Sequence, residues 1–261
     1  MVTTEQRLGG HHAIVTGASR GIGAAIATAL ATQGASVSLM GRDMARLSQT
    51  ASSLALPERV TAIQIDVTDA ASVQKAVSAA RSRFGRIDML INNAGQAFSA
   101  PFLKTDEAAW RRMLDVNLTG AYHCIQAVLA DMKQAGWGRI VNIASTAGLR
   151  GYAYTAAYVA SKHGLVGLTR ALALEVAQTG ITVNAVCPGF TDTDIVRDAI
   201  ANVVKTTGRT ADEARAVLLS SNPQKRLIQP EEVAQAVAWL CTPGAQSVTG
   251  QSIAIAGGEV M

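Results

Sequence analysis

Short runs rich in β-branched residues alternate with longer Ala-rich amphipathic stretches along the whole chain. Such alternation has few stable solutions, because a strand that must be followed by a helical crossover is led into a parallel sheet with helices on its faces. Strands are expected at residues 12–16, 36–40, 61–65, 87–91, 139–144, 182–186 and 252–256, and helices at 23–33, 44–54, 70–84, 106–133, 155–178 and 231–241. Continuous apolar runs such as the one from Ile140 to Ala144 suit strands covered on both faces. The fold class predicted is α/β, a doubly wound seven-stranded parallel sheet.

With 261 residues, 49% of them hydrophobic, the chain can bury a full core, and residues 1–261 are expected to form a single domain. The net charge of +4 comes from 23 basic and 19 acidic residues spread along the chain without a Lys/Arg run, so nucleic acid is not an expected partner. Cys124, Cys187 and Cys241 are too far apart for metal-ligand spacing and read as buried small hydrophobes in a reducing compartment. No metal site is expected: His11 and His12 read as solvated or strand-edge residues, while His123 and His163 fall on helices. Neither a signal-peptide core near the start nor a later apolar run of spanning length is visible, which predicts a soluble, cytoplasmic protein without a membrane partner.

Residues 191–229 interrupt the alternation, with helical propensity at 211–220 and a break at Gly208. An excursion just after the C-terminal end of a strand falls where α/β sheets bind ligands, so a substrate lid is the functional reading and a plain surface helical hairpin the structural one. From Arg197 to Arg226, Arg197, Lys205, Arg209, Arg215, Lys225 and Arg226 outnumber Asp198, Asp212 and Glu213. Such a surface would draw an anionic ligand.

The first strand runs through Gly17, Ala18, Ser19, Arg20, Gly21, Ile22 and Gly23 directly into a helix. Glycines in this setting permit a tight turn and close approach of a pyrophosphate, which then rests on the helix N-terminus. The sheet is therefore expected to be of Rossmann type. NAD-preferring sheets of this kind place an acid at the end of the second strand to bind the ribose hydroxyls. Here Gly41 and Arg42 stand in that place, and Arg42, assisted by Arg20, can pair with a 2′-phosphate, which favours NADP(H).

Tyr158 and Lys162 lie four residues apart on a predicted helix, and Tyr122, Tyr152 and Tyr154 have no lysine at that spacing. An ammonium one turn from a phenol favours the phenolate and would bring it toward proton exchange near neutral pH.

The glycine turn, Asn92-Asn93-Ala94-Gly95, Ser145, Tyr158, Lys162 and Pro188-Gly189 occur in an order and spacing that resembles the short-chain dehydrogenase/reductase family, from His12 to Gly258. The resemblance implies a catalytic set of Asn117, Ser145, Tyr158 and Lys162. Ser145 would hydrogen-bond the substrate carbonyl, Tyr158 would protonate it, and Lys162 would lower the tyrosine pKa and hold the nicotinamide ribose. Asn117 would hold a helix kink and a water. It also implies coenzyme contacts at Gly17, Ser19, Arg20, Gly21, Ile22, Gly23, Arg42, Asp66, Val67, Asn93, Ala94, Gly95, Pro188, Gly189 and Thr193, and a homotetramer buried through the helices at 106–133 and 155–178 and the C-terminal segment.

Within the family, the stretches 138–148 and 179–190 look most like ketoreductases of 3-oxoacyl thioesters. A pocket lined by Gln96, Phe98, Leu149, Tyr152, Tyr154, Phe190 and Val196 would be mostly apolar. Reductases of fatty-acid synthesis typically present arginines to a carrier protein where this chain has Gly136 and Thr179, so a CoA thioester or a free ketone is favoured. A dehydrogenase of another secondary alcohol and a non-catalytic NADP-binding protein remain as alternatives.

Overall fold

The computed structural model describes residues 7–261; residues 1–6, part of the N-terminal stretch read above, lie outside them. Strands β1 (His12–Thr16), β2 (Ser36–Gly41), β3 (Val60–Gln64), β4 (Met89–Asn92), β5 (Gly138–Ile143), β6 (Ile181–Pro188) and β7 (Ser252–Ile255) form one parallel sheet in the order β3-β2-β1-β4-β5-β6-β7. Between them run α1 (Gly21–Thr32), α2 (Met44–Ser53), α3 (Ala70–Phe84), α4 (Glu107–Leu114), α5 (Gly120–Ala135), α6 (Ala156–Glu175), α7 (Asp194–Thr207), α8 (Ala211–Leu219) and α9 (Pro230–Cys241). β1 pairs with β2 on one side and β4 on the other, so the direction of winding reverses between β1 and β4. Crevices at the C-terminal ends of strands beside such a reversal are where sheets of this type take ligands.

Successive side chains of a strand point to opposite faces, and the core divides accordingly. Ala13, Val15, Leu39, Met89, Ile91, Val141 and Ile143 pack with Ile26 and Leu30 of α1 and Val233 and Val237 of α9. Ile14, Met40, Leu90 and Ile140 pack on the other face with Val73 and Val77 of α3, Val128 of α5 and Leu172 of α6. Both faces are covered, which accounts for apolar runs where a one-sided sheet would alternate.

Three expectations need correction. The helix read as continuous over 106–133 is two helices joined by a π-helical turn, Asp115–Thr119, which carries the buried Asn117 inward. The wider turn inserts one residue into the helical repeat, and apolar periodicity has no means of showing this. The excursion at 191–229 holds two helices, α7 as well as α8, separated by Gly208 at φ 70°, and its base is closed by a parallel bridge between Thr191 and Ile228. His12 is neither solvated nor at an edge: it is buried at the start of β1, with its ring nitrogens 3.1 Å from Gly85 O and 2.9 Å from Ser38 Oγ. The three cysteines are free and buried, as expected. Among the described residues no helix is long and apolar enough to cross a membrane, and none of their His, Cys, Asp and Glu side chains group as a metal site.

Candidate active site

The glycine turn between β1 and α1 is pinned to the end of β4. Thr16 Oγ1 accepts the backbone N–H groups of Asn93 and Ala94, both at 3.0 Å, and Asn93 Nδ2 donates to Thr16 O at 2.9 Å and Gly17 O at 3.1 Å. A Cβ on Gly23 would lie 2.3 Å from Gly17 O, so the turn closes only around glycine. The helices α2, α3 and α4 each begin under an aspartate, Asp43, Asp69 and Asp106, whose side chain accepts a first-turn N–H from Arg46, Ala71 and Ala109 respectively. No such side chain or first-turn acid serves α1, which leaves its N-terminal N–H groups and positive dipole end available to an anion. Ser19 O accepts from Thr50 Oγ1, and Ile22 packs against the core.

Beyond this turn, an open cleft of about 520 Å³ is lined by Arg42, Ile63, Gln64, Ile65, Asp66, Ser72, Lys75, Ala76 and Ala79. One Asp66 carboxylate oxygen accepts from Thr68 N and Thr68 Oγ1, and these bonds hold its pKa below the usual carboxylate range. Val67 is buried against the start of α5, and its carbonyl lies 3.1 Å from His123 Nδ1. Arg20 does not stand free beside Arg42: its Nη1 is 2.6 Å from Asp194 Oδ2 at the start of α7. Thr193, just before α7, lies against Gly21; Pro188 ends β6 and Gly189 follows it, with Gly189 N donating to Ile255 O. Lys75 was not singled out above; a lone lysine on a helix carries no pattern that marks it.

The residues expected to handle the proton meet at the C-terminal ends of β4, β5 and β6. Ser145 follows β5 and accepts from Ala147 N at 3.1 Å, which fixes its hydroxyl at the mouth of the strand. Lys162, on α6 and 4% exposed, donates to Ile143 O at 2.8 Å, and its Nζ is 5.9 Å from the centre of the half-buried Tyr158 ring. Asn117 binds both backbone groups of Gln96, accepting from N at 2.9 Å and donating to O at 3.0 Å. It also donates to Ser161 Oγ at 3.1 Å, and Ser161 Oγ donates to Tyr158 O at 2.7 Å. The π-helical turn thereby positions the first turns of α6; Ser161 is a link that spacing alone does not reveal. A Cβ on Gly95 would come within 3.0 Å of Asn117 Oδ1 and 3.6 Å of Lys162 Nζ, so the residue has to be small for these groups to converge.

The expected lowering of the Tyr158 pKa by Lys162 is not found. Burial raises the phenol, with Ser145 pulling the other way, and Lys162 is itself pushed down to about 8 by burial. The ammonium is committed to a strand carbonyl, and burial outweighs what offsets it at the phenol, the hydrogen bond with Ser145. Cys187 on β6 adjoins the group, and burial pushes its thiol up to about 11.

The residues expected to line a pocket are brought together only in part. Tyr152 and Phe190 meet edge to face at 6.5 Å, and Leu149 packs on the cluster of Ala144 and Leu165. The guanidinium of Arg112 lies 5.9 Å from the Phe98 ring centre. Val196 is buried with Leu219 and Leu227 inside the 191–229 excursion, in a cluster that Phe190 also packs against, whereas Tyr154 is 66% exposed with a left-handed backbone. The Tyr152 hydroxyl is 2.7 Å from both Thr146 Oγ1 and Glu259 Oε1. Burial and this carboxylate push Tyr152 up to about 12. Glu259 was missed for want of any motif around it.

The family described as short chain dehydrogenase matches residues 11–203. A D-beta-hydroxybutyrate dehydrogenase of Rhizobium meliloti is 36% identical over 94% of this chain and 97% of its own length. A 3-oxoacyl-acyl-carrier-protein reductase of Vibrio harveyi is 37% identical over 97% of this chain and 99% of its own. Among solved structures, a variant of actinorhodin polyketide ketoreductase with NADPH superposes with a TM-score of 0.92 at 38% identity, covering 97% of this chain and 98% of that one.

Proposed function

The chain belongs to the short-chain dehydrogenase family, and on that premise we propose that it is an NADP(H)-dependent ketoreductase whose substrate is a 3-oxoacyl thioester, carried on CoA in preference to a carrier protein. The observation that carries this reading is the convergence of Ser145, Tyr158 and Lys162 beside a glycine turn whose helix has no capping group of its own. The coenzyme, when bound, supplies the hydride. Gly17, Gly21 and Gly23 with the N-terminus of α1 would hold its pyrophosphate, and Asp66, Val67, Asn93, Ala94 and Gly95 its adenosine side. Pro188, Gly189 and Thr193 would flank the nicotinamide.

Ser145 would donate to the substrate carbonyl oxygen and stabilise the charge that develops there. A phenol raised by burial is fully protonated at neutral pH, so Tyr158 holds the proton that this oxygen needs. The direction that consumes a proton, ketone reduction, is the one this state serves. Lys162 would stabilise the phenolate left behind, and the bonds from Asn117 through Ser161 hold the helix that carries both residues.

Carrier-protein docking is not favoured. Gly136 and Thr179 present no cation, and the nearby Arg139 is 2% exposed, bound to Gly138 O and Gly180 O. The excursion at 191–229 serves in this reading as a lid, and it is less basic in effect than its composition suggests. Arg197 is paired with Asp192 and Asp194, and Arg226 with Glu232. A dehydrogenase of a cyclic, aromatic or steroid alcohol would use the same residues and differ only at the pocket.

Reduction of acetoacetyl-CoA is expected with a kcat/KM for NADPH well above that for NADH. Arg42→Asp should shift that ratio toward NADH by roughly 10- to 100-fold, the equivalent of one charge-assisted contact. Equal kcat/KM for the two coenzymes in the wild type would sink the NADP(H) assignment, and failure to reduce any ketone would sink the activity.

A homotetramer is also proposed. Tyr122 on α5 and Leu174 on α6 are 48% and 81% exposed, and β7 is an edge strand. Light scattering at micromolar concentration should give four times 27.1 kDa; a monomer would overturn the proposal.

A further inference from the structure

Glu259 is 8% exposed and comes from the glycine-rich C-terminal segment, and its carboxylate lies against Tyr152, one of the residues expected to line the substrate pocket. Oε1 accepts from the Tyr152 hydroxyl at 2.7 Å and from Ser221 Oγ, just after α8, at 2.8 Å. Tyr152 in turn meets Thr146, the residue next to Ser145. Oε2 is buried with no hydrogen-bond donor, and it lies 3.2 Å from where a Cβ on Gly189 would be. None of the ion pairs among the described residues includes Glu259. Arg150 donates to the backbone carbonyl of Glu259 at 3.4 Å, and its guanidinium faces the Tyr152 ring.

We infer that Glu259 is a specificity-determining residue that bars substrates carrying a carboxylate near the ketone and so selects neutral ketones, esters and thioesters. The inference rests on the ketoreductase reading and narrows its substrate class. A buried carboxylate without a paired cation sets a negative potential on the wall formed by Tyr152, Thr146 and Gly189. Like charges about 8 Å apart, at the effective dielectric of a protein interior, disfavour one another by a factor of about 30. A neutral acyl chain meets no such opposition, and the Tyr152 ring and Phe190 offer it apolar surface.

Acetoacetate and its ethyl ester differ by the charge in question, so the test compares their kcat/KM values with NADPH. The wild type is expected to favour the ester by about 30-fold or more. Glu259→Gln keeps the shape and the acceptor toward Tyr152, and should narrow the ratio by about 30-fold, chiefly through the KM for acetoacetate. Ser221→Ala removes a hydrogen bond to the same oxygen but no charge, and should leave the ratio within about twofold, because the charge sets it. Equal wild-type values for the two substrates, or a ratio that Glu259→Gln leaves in place, would overturn the inference, and the wild-type comparison decides even if the variant does not fold. Calorimetric binding of both compounds to the complex with oxidised coenzyme keeps the two readings separable. Selective binding of the ester without turnover would overturn the ketoreductase and spare Glu259; turnover of both compounds without selectivity would do the reverse.

Discussion

Tyr158→Phe is expected to lower kcat for ketone reduction by about 10²- to 10⁴-fold, the range that a positioned general acid supplies, while leaving the NADPH dissociation constant nearly unchanged. The change removes one proton and almost no volume. The helix that carries the ring is held through its backbone, since Ser161 Oγ donates to Tyr158 O and Asn117 to Ser161, and neither bond involves the phenol. Loss of activity would therefore report the proton and not a displaced α6. Retention of more than about a tenth of the wild-type kcat would put the acid elsewhere, because a positioned general acid typically contributes about 10²-fold or more. Single-turnover kinetics with coenzyme and ketone premixed would separate the chemical step from product release.

Much of this site is legible before any coordinates, and the reason differs from residue to residue. The inner strands show themselves because burial on both faces demands apolar runs, and the glycine turn because Gly23 has a backbone oxygen where a Cβ would go. Tyr158 and Lys162 are visible through helical spacing. What spacing does not carry is solvation. The same burial that keeps Lys162 beside Ile143 O makes its charge expensive and lifts the phenol, reversing the direction expected of a neighbouring ammonium. The π-helical turn at Asn117 is hidden for another reason, since one extra residue in a turn leaves the composition of the segment unchanged. Glu259 and Lys75 belong to no local pattern at all; long-range packing alone places Glu259 against Tyr152 and Ser221, and Lys75 in the cleft with Arg42 and Asp66. Arg20 is a case between these. Its position in the glycine turn is plain, but its partner Asp194 is 174 residues away.

Lys162→Met is expected to abolish most of the activity and to make the protein more stable. The folded-state pKa of about 8 lies below the ordinary value of 10.5 because burial penalises the charged form. None of the ion pairs among the described residues includes Lys162, and its one hydrogen bond is to Ile143 O. A depression of this size corresponds to roughly 3 kcal/mol of opposition to folding at neutral pH, against which the lost hydrogen bond counts about 1 kcal/mol. Methionine has nearly the same length and no charge to desolvate, so the net gain should be on the order of 1–2 kcal/mol, or several degrees in Tm for a chain of this size. The pH dependence has a definite sign. Below about pH 8 both folded and unfolded lysine are protonated and the penalty is complete. Between about 8 and 10.5 the folded protein has released the proton and the unfolded chain has not, so wild-type stability rises relative to the variant and the gap in Tm closes. Thermal unfolding of the two proteins from pH 6.5 to 10 measures this directly, with Ile143 and its strand common to both. A variant less stable than wild type at pH 7, or a gap that does not narrow with pH, would mean that Lys162 stabilises the fold. Its place beside Tyr158 would then need no catalytic explanation. If stability rises while turnover falls, the site carries a buried cation that folding alone would discard, and proton transfer to the substrate is the function that retains it.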